Sequence, residues 1–269
     1  MFAEKYFGHI GARPTSDIDV LIKAADLEKA IECVKSLGFD AEKERIPGHF
    51  HCSYSKEIPG SRIPLTVELH WDLLKENTAS FQIDEFWKQA LPVKKHIKEL
   101  SSYHTFYMIS LHGWRHNLDS PKYFLDIIQL LHLLHDEIDY SLLFQDATRH
   151  KTIKRIIRTL SIVYQQFPHL DQIKKFPYKR KNIIWESNSF KKKNRKSIKK
   201  YADFIDYQFF SYDSARHSFI EMLKWIAPSE ADLVTHLEKD KQKSQFKYVL
   251  LSKKRFINVV KMFFLPTKG

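Results

Sequence analysis

The feature that most restricts the fold is a change in the spacing of apolar residues along the chain. From residue 17 to about residue 71 they come in short runs, several alternating with polar residues, and beyond roughly residue 80 they recur every three to four positions. "SDIDVLI", "HFHCSY" and "LTVELHW" have the length and composition of strands, and the turn-rich "KEIPGSRIP" separates the last two. Between the first two runs, "DLEKAIECVKSLGF" sets Leu27, Ala30, Ile31, Val34 and Leu37 on one helical face, with Gly38 placed as C-terminal cap. The later segments read as helices: "SSYHTFYMISLHGWRHN", "PKYFLDIIQLLHLLHDE", "YSLLFQDATRH", "IKRIIRTLSIVYQQF", "YADFIDYQFF", "SARHSFIEMLKWIA" and "EADLVTHLEK". A small mixed β-sheet followed by a mostly helical C-terminal half is an α+β arrangement. The expected division is an α/β core over residues 1–98 and a helical domain over 99–269, without internal repeats.

Composition narrows the class. A chain of 269 residues that is 43% hydrophobic can bury a core. Two cysteines, Cys33 and Cys52, outside any CxxC pair, argue against a disulfide framework or a thiolate zinc site and for a reducing compartment. The start, "MFAEKYFGHIGARP", has no signal-peptide pattern, and no window approaches about 18 uncharged apolar residues, so the expected location is the cytoplasm. The net charge of +12 is concentrated: residues 171–200 hold 12 Lys or Arg against Asp171 and Glu186, a surplus of 10. Such a segment could meet nucleic acid, an anionic membrane surface or a polyanionic substrate, or be a solvated linker. The tail "KYVLLSKKRFINVVKMFFLPTKG" mixes basic and bulky apolar residues, as a membrane-touching helix or one docked on the body would.

Chemistry enters with "GARPTSDIDVLI", residues 11–22, where two aspartates stand at the mouth of an apolar run. Residues two apart on a strand share a face, so Asp17 and Asp19 project side by side. Their charges repel, and burial worsens this unless a cation lies between them. A hard divalent ion such as magnesium, which takes carboxylate oxygens, removes the difficulty. Glu68, between Val67 and Leu69 in "LTVELHW", becomes a third acid at the same spot if its strand pairs beside the first. Three converging carboxylates suit two-metal phosphoryl or nucleotidyl transfer. His70 shares the strand face of Glu68 and is placed to support a metal ligand or to be satisfied by backbone. Downstream, His112 and His116 lie four apart in "LHGWRH" with Arg115 between them, on one helical face, and Asp126 follows in "YFLDIIQLL". Without the glutamate of HExxH this is read as a substrate-lining or structural set rather than a zinc site. Neither GxSxG, a P-loop nor a Rossmann fingerprint occurs.

"GARPTSDIDVLI" resembles the active-site signature of nucleotidyltransferases of the DNA polymerase β superfamily. The succession of "RPTSDIDVLI", "LGF", "VELHW", "HGWRH", "YFLDIIQLL" and "WIAPSEADL" is similar to a group of bacterial members, most of them uncharacterised. The resemblance implies that Asp17, Asp19 and Glu68 are catalytic and hold Mg2+ (or Mn2+) against the triphosphate of a bound NTP. An acceptor would attack the α-phosphorus and release pyrophosphate. It makes Arg13 a phosphate partner, with Gly8 and Ser16 beside it in the nucleotide-binding loop. His70, His112, Arg115, His116 and Asp126 would line the substrate.

Members of that superfamily usually carry a Gly-Ser or Gly-Gly element about ten residues before the aspartates, whose amides cradle the triphosphate. "FGHIGARP" offers Gly8 and Gly11, with little chain before them. Either Gly8 and His9 do this work in a shortened loop, or the element is missing and the chain binds nucleotide or a partner without chemistry. A basic adaptor for nucleic acid or anionic lipid, acting through residues 191–200, is the third reading; nucleic acid is not favoured, since no RNA-recognition pattern accompanies the lysines. The acceptor, whether sugar, small molecule, peptide or protein, is not legible in the sequence.

Overall fold

The alternating runs near the N-terminus form strands, and the longer periodic segments form helices. In the computed structural model the chain divides into two compact units, Met1–Ala90 and Leu91–Gly269. The structure describes residues 2–15, 17–42, 49–75, 78–179, 183–187, 198–227 and 246–264.

The first unit runs α1 (Phe2–Phe7), β1 (Asp17–Leu21), α2 (Leu27–Ser36), β2 (Asp40–Ala41), β3 (His51–Lys56), β4 (Leu65–His70) and α3 (Ile83–Lys88). Its four strands lie in the order β1-β4-β3-β2. β1 is parallel to β4, while β3 is antiparallel to both β4 and β2. A parallel neighbour needs a crossover rather than a tight turn, and here the crossover carries α2 and the β2–β3 hairpin.

α2 ends as its sequence dictates. Gly38 adopts φ +82°, a left-handed conformation open to a residue without Cβ. The Gly38 amide then donates to the Lys35 carbonyl at 2.9 Å and the Phe39 amide to the Val34 carbonyl at 3.4 Å. This pair of bonds satisfies carbonyls the last turn would otherwise leave open. One face of the sheet is apolar: Cys52, Tyr54 and Leu69 are buried with Leu27 and Phe39, and Ala30, Ile31 and Val34 of α2 pack against them. Each fully buried large apolar side chain contributes about 1.5–3 kcal/mol. With α2 on that face, the residues that alternate with the apolar ones turn to the other.

The second unit opens with a hairpin, β5 (Leu91–Lys94) and β6 (Ile97–Glu99), which none of the strand candidates read from the sequence covers. Strands this short, one containing Pro92, leave too little alternation to compete with the helical pattern around them. Then follow α4 (Ser102–Arg115), α5 (Pro121–Leu134), α6 (Tyr140–Arg149), α7 (Ile153–Gln166), α8 (Leu170–Ile173), α9 (Ile198–Ile205), α10 (Ala215–Ile226) and α11 (Lys247–Phe264). α9 continues into a π-helical turn at Asp206–Phe210, and "EADLVTHLEK" lies outside the described residues. Helix starts carry side-chain caps at Ser101, Ser120 and Asp139, each covering an amide the first turn leaves open.

The core of this unit is built on α4, α5 and α7, where Phe106, Ile127, Leu130, Ile156, Leu160 and Val163 are fully buried. Gly113 lets α4 approach its neighbours: a Cβ there would stand 3.0 Å from Leu118 Cδ2 and 3.3 Å from Ile127 Cδ1. The molecule is thus α+β, a small four-stranded sheet followed by a mostly helical remainder.

Candidate metal centre

The outward face of the first unit's sheet is a grid of polar side chains set by strand register. Asp17 of β1 stands opposite Thr66 of β4, Asp19 opposite Glu68, and Leu21 opposite His70. On the far side of β4, Ser55, Ser53 and His51 of β3 stand opposite the same three β4 residues. Because side chains alternate across a strand, one register fixes every member of this face.

At its centre His70 Nε2 lies 3.0 Å from Asp19 Oδ1 and 3.1 Å from Glu68 Oε2. Ser53 donates to Glu68 Oε1 at 3.3 Å, and His51 Nε2 lies 3.8 Å from Glu68 Oε2. The His51 and His70 rings stack with centroids 4.9 Å apart. Side-chain exposure grades across the set, 11% for His70, 21% for Glu68 and 56% for Asp19, so the cluster opens to solvent at Asp19.

The electrostatics follow from these contacts. The hydrogen bond from His70 holds the Glu68 carboxyl below its ordinary value, against a smaller opposing effect of burial. Burial alone would lower the His70 pKa, but hydrogen bonds to Asp19 and Glu68, with their charges, outweigh it and raise the value. When protonated, the imidazolium is the cation that balances two carboxylates.

Asp19, Glu68 and His70 each present a ligand atom, all within 4.8 Å of one another, and among the described residues they are the one such group of three or more. The donor set fits a divalent ion. Two ligands bonded at about 2.1 Å and at right angles stand roughly 3.0 Å apart, the spacing His70 Nε2 keeps from each carboxylate oxygen. The imidazole can serve as a ligand only once Nε2 has lost its proton.

Asp17 sits two residues before Asp19 on the same face, but its Oδ1 accepts from the Thr15 hydroxyl at 3.0 Å and it stands outside the group of three. Gly8 follows α1 in a left-handed conformation, φ +78°, and its amide donates to the Glu4 carbonyl at 3.0 Å. The Arg13 guanidinium lies over the Phe2 ring, 5.1 Å from its centroid. Ser16 and residues 191–197 of the basic segment lie outside the described residues.

His112, Arg115, His116 and Asp126 belong to the second unit. The His116 ring stacks on Tyr123 at 4.7 Å and 9°, and His112 meets that ring edge-on at 5.4 Å. The Arg115 carbonyl accepts from the Tyr207 hydroxyl at 2.6 Å, and Asp126 is buried in α5. Among the described residues no third ligand joins the two histidines.

His51 and Ser53, which flank Glu68, are not among the candidate site residues read from the sequence. The signal was the alternation in "HCSYSK", polar at positions 51, 53 and 55 and buried at 52 and 54.

Residues 1–168 match the model of a family described as uncharacterised nucleotidyltransferases. No curated protein and no solved structure matches the chain. The family match takes in more than half of the chain, with β1 and β4 inside it, and the chain therefore belongs to the uncharacterised nucleotidyltransferase family.

Proposed function

We propose that the protein transfers a nucleoside monophosphate from an NTP to an acceptor, on a core of the DNA polymerase β type found in bacterial members. The observation that carries this reading is the parallel register of β1 on β4, which sets Asp19 beside Glu68 with His70 against both. Asp19 and Glu68 would hold Mg2+ or Mn2+, with Asp17 adjoining them on the same strand face. The nitrogen of His70 beside two carboxylates suits Mn2+ at least as well as Mg2+. An ion bound there would neutralise charge on the triphosphate oxygens.

The chain's own part is positioning. Arg13, in the segment leading from Gly8 to β1, would leave the Phe2 ring to grip phosphate oxygens as a two-pronged donor. Ser53 and His51 fix the Glu68 carboxylate, whose orientation decides whether its free lone pairs face the ligand. The acceptor oxygen attacks the α-phosphorus, the bond from that phosphorus to the bridging oxygen breaks, and pyrophosphate leaves. Nucleoside triphosphates as substrates agree with a cytoplasmic reaction. The acceptor is a sugar, another small molecule, a peptide or a protein.

The test is a thermal-shift screen of ATP, CTP, GTP and UTP with and without Mg2+ or Mn2+, run beside a pyrophosphate-release assay. At least one nucleotide should raise the melting temperature only with the ion, and Asp19→Asn should remove both the shift and the release. A nucleotide at a hundred times its Kd stabilises by about 2.7 kcal/mol, well within reach of the assay. Protection without pyrophosphate release from any acceptor would instead identify a binding protein that has lost the chemistry. Protection indifferent to the ion and to Asp19 would exclude the metal centre.

A further inference from the structure

Two helices of the second unit carry exposed apolar side chains. On α10, Phe219, Met222, Leu223 and Ile226 follow the i, i+3, i+4, i+7 spacing that gathers side chains on one face, and they are 42–62% exposed. On α11, Val249, Leu250 and Phe256, with Phe246 just ahead of the helix, are 37–69% exposed. At about 100° per residue these four span an arc of roughly 120° nearly opposite Leu251, which is only 1% exposed. α11 is therefore seated on the body by one face and displays on the other a set of apolar side chains around Lys253. The seat is specific: Arg255 Nη1 donates to the Lys224 and Trp225 carbonyls at 3.0 and 2.6 Å, and Ser252 to the Ile226 carbonyl at 3.3 Å. These bonds tie α11 to the C-terminal end of α10.

Charge selects the occupant. The α11 sequence holds five basic residues, Lys247, Lys253, Lys254, Arg255 and Lys261, and no acidic one. The single acid of α10, Glu221, is buried and paired with Lys224 at 3.0 Å. A second copy would bring the same positive charge against this face. Nucleic acid would meet the charge but leave Ile226, Val249 and Phe256 in water. An anionic bilayer offers acyl chains and negative headgroups in one surface, the combination an interfacial helix with an apolar stripe and basic flanks requires. Among the described residues no helix is long and apolar enough to cross a membrane, so α11 lies along the surface.

We propose that the α10–α11 face seats the protein on an anionic bilayer, with Phe219, Ile226, Val249 and Phe256 at the headgroup boundary and the lysines on the phosphates. The proposal is independent of the metal centre, which belongs to the first unit.

Sedimentation of the full chain with vesicles of phosphatidylcholine, alone or mixed with phosphatidylglycerol, tests it. Binding to the mixed vesicles should exceed binding to phosphatidylcholine alone by about tenfold or more and weaken with salt, as headgroup attraction screened over about 8 Å requires. The double variant Ile226→Asp/Phe256→Asp should lose about tenfold in binding with an unchanged melting temperature, since both side chains are already more than 60% exposed. Lys253→Glu/Lys254→Glu, at the same face, should weaken binding to the anionic vesicles only. Equal binding of both vesicle types, or full binding by the aspartate variant, overturns the proposal. So does a dimer seen by light scattering that the aspartate variant dissolves while vesicles bind nothing.

Discussion

Each unit holds a knot of charged side chains, and the two knots are built to different ends. In the second unit the Arg158 side chain is 1% exposed and all three of its nitrogens are engaged: Nη2 with Asp203 at 2.5 Å, Nη1 with Asn117 at 2.8 Å, Nε with Asp206 at 3.2 Å. Asp203 also accepts from Asn117 Nδ2 and from the Glu186 amide, each at 3.1 Å. Burial pushes the Asp203 pKa up, and Arg158 leads the interactions that oppose it. Nearby, Arg155 is buried between Trp114 and Tyr212, 4.5 and 4.7 Å from their ring centroids. In the first unit, by contrast, Asp19, Glu68 and His70 share one hydrogen-bonding nitrogen between two carboxylates, and Asp19 is more than half exposed. Charges closed in on every side hold a fold together; charges left open toward solvent can take a ligand.

The contrast is most easily broken at the buried knot. Asp203→Ala leaves Arg158 without its shortest partner in a water-poor site, a loss that costs about 3–5 kcal/mol. Calorimetry should show the transition of the second unit falling by roughly 6–20 °C, at about 2–4 °C per kcal/mol for a unit of this size. Replacing the closest pair together, Arg158→Met with Asp203→Leu, should recover only part of the loss, since Asn117, Asp206 and the Glu186 amide then lose their partners. If Asp203→Ala costs less than about 1 kcal/mol, the network is ornamental and the comparison fails.

At the open knot the same kind of change should cost stability less and ligand binding more. Glu68→Gln keeps the shape but removes a charged acceptor from His70, a loss of about 1–2 kcal/mol for a half-buried hydrogen bond to a charged group. Its effect on Mn2+ affinity, read by the paramagnetic signal of free Mn2+, should be the larger one, a weakening of about 100-fold. Asp19→Asn sits lower still on the stability scale. Its carboxylate is screened by water, so the fold should lose no more than about 1 kcal/mol, while metal-dependent protection by nucleotide disappears. A fold damaged as badly by Asp19→Asn as by Asp203→Ala would make the first knot structural too.

Sequence reasoning reached the two knots unequally, for a physical reason. The sheet, α2 with its glycine cap and most of the helices were legible because local periodicity and capping determine them. Asp19 and Glu68 could be paired because the period of a strand is two and each acid interrupts an apolar run. The alternation in "HCSYSK" sets His51 and Ser53 on one face, but their place beside Glu68 comes from the β3–β4 register. The Arg158 knot was invisible: Asn117, Arg158 and the Asp203–Asp206 pair come from separate parts of the second unit, and an arginine in an amphipathic helix looks like any solvated one. Asn117 and Leu118 adopt positive φ, 49° and 52°, in the turn after α4, a conformation uncommon outside glycine. The short hairpin β5–β6 was missed for want of length.

The smallest expected effect is also the one that separates the knots by chemistry rather than by burial. Glu68 has a folded pKa below its ordinary 4.5, so its stabilising contribution is present above that value and lost as pH falls through the lower, folded one. His70 has a folded pKa above its ordinary 6.5, so its contribution is full below 6.5 and lost as pH rises through the raised one. Without metal ions, protection of β4 in amide hydrogen exchange should therefore be greatest between about 4.5 and 6.5, where both contributions are complete. It should decline on the alkaline side as the imidazolium loses its proton. His70→Gln, which cannot titrate, should flatten that alkaline limb. Excess Mn2+ should restore protection there, because the deprotonated nitrogen and the two carboxylates then share an ion instead of a proton. An alkaline limb unchanged in His70→Gln would mean that the imidazolium does not hold the two acids together, and the exchange of proton for metal at this face would have to be abandoned.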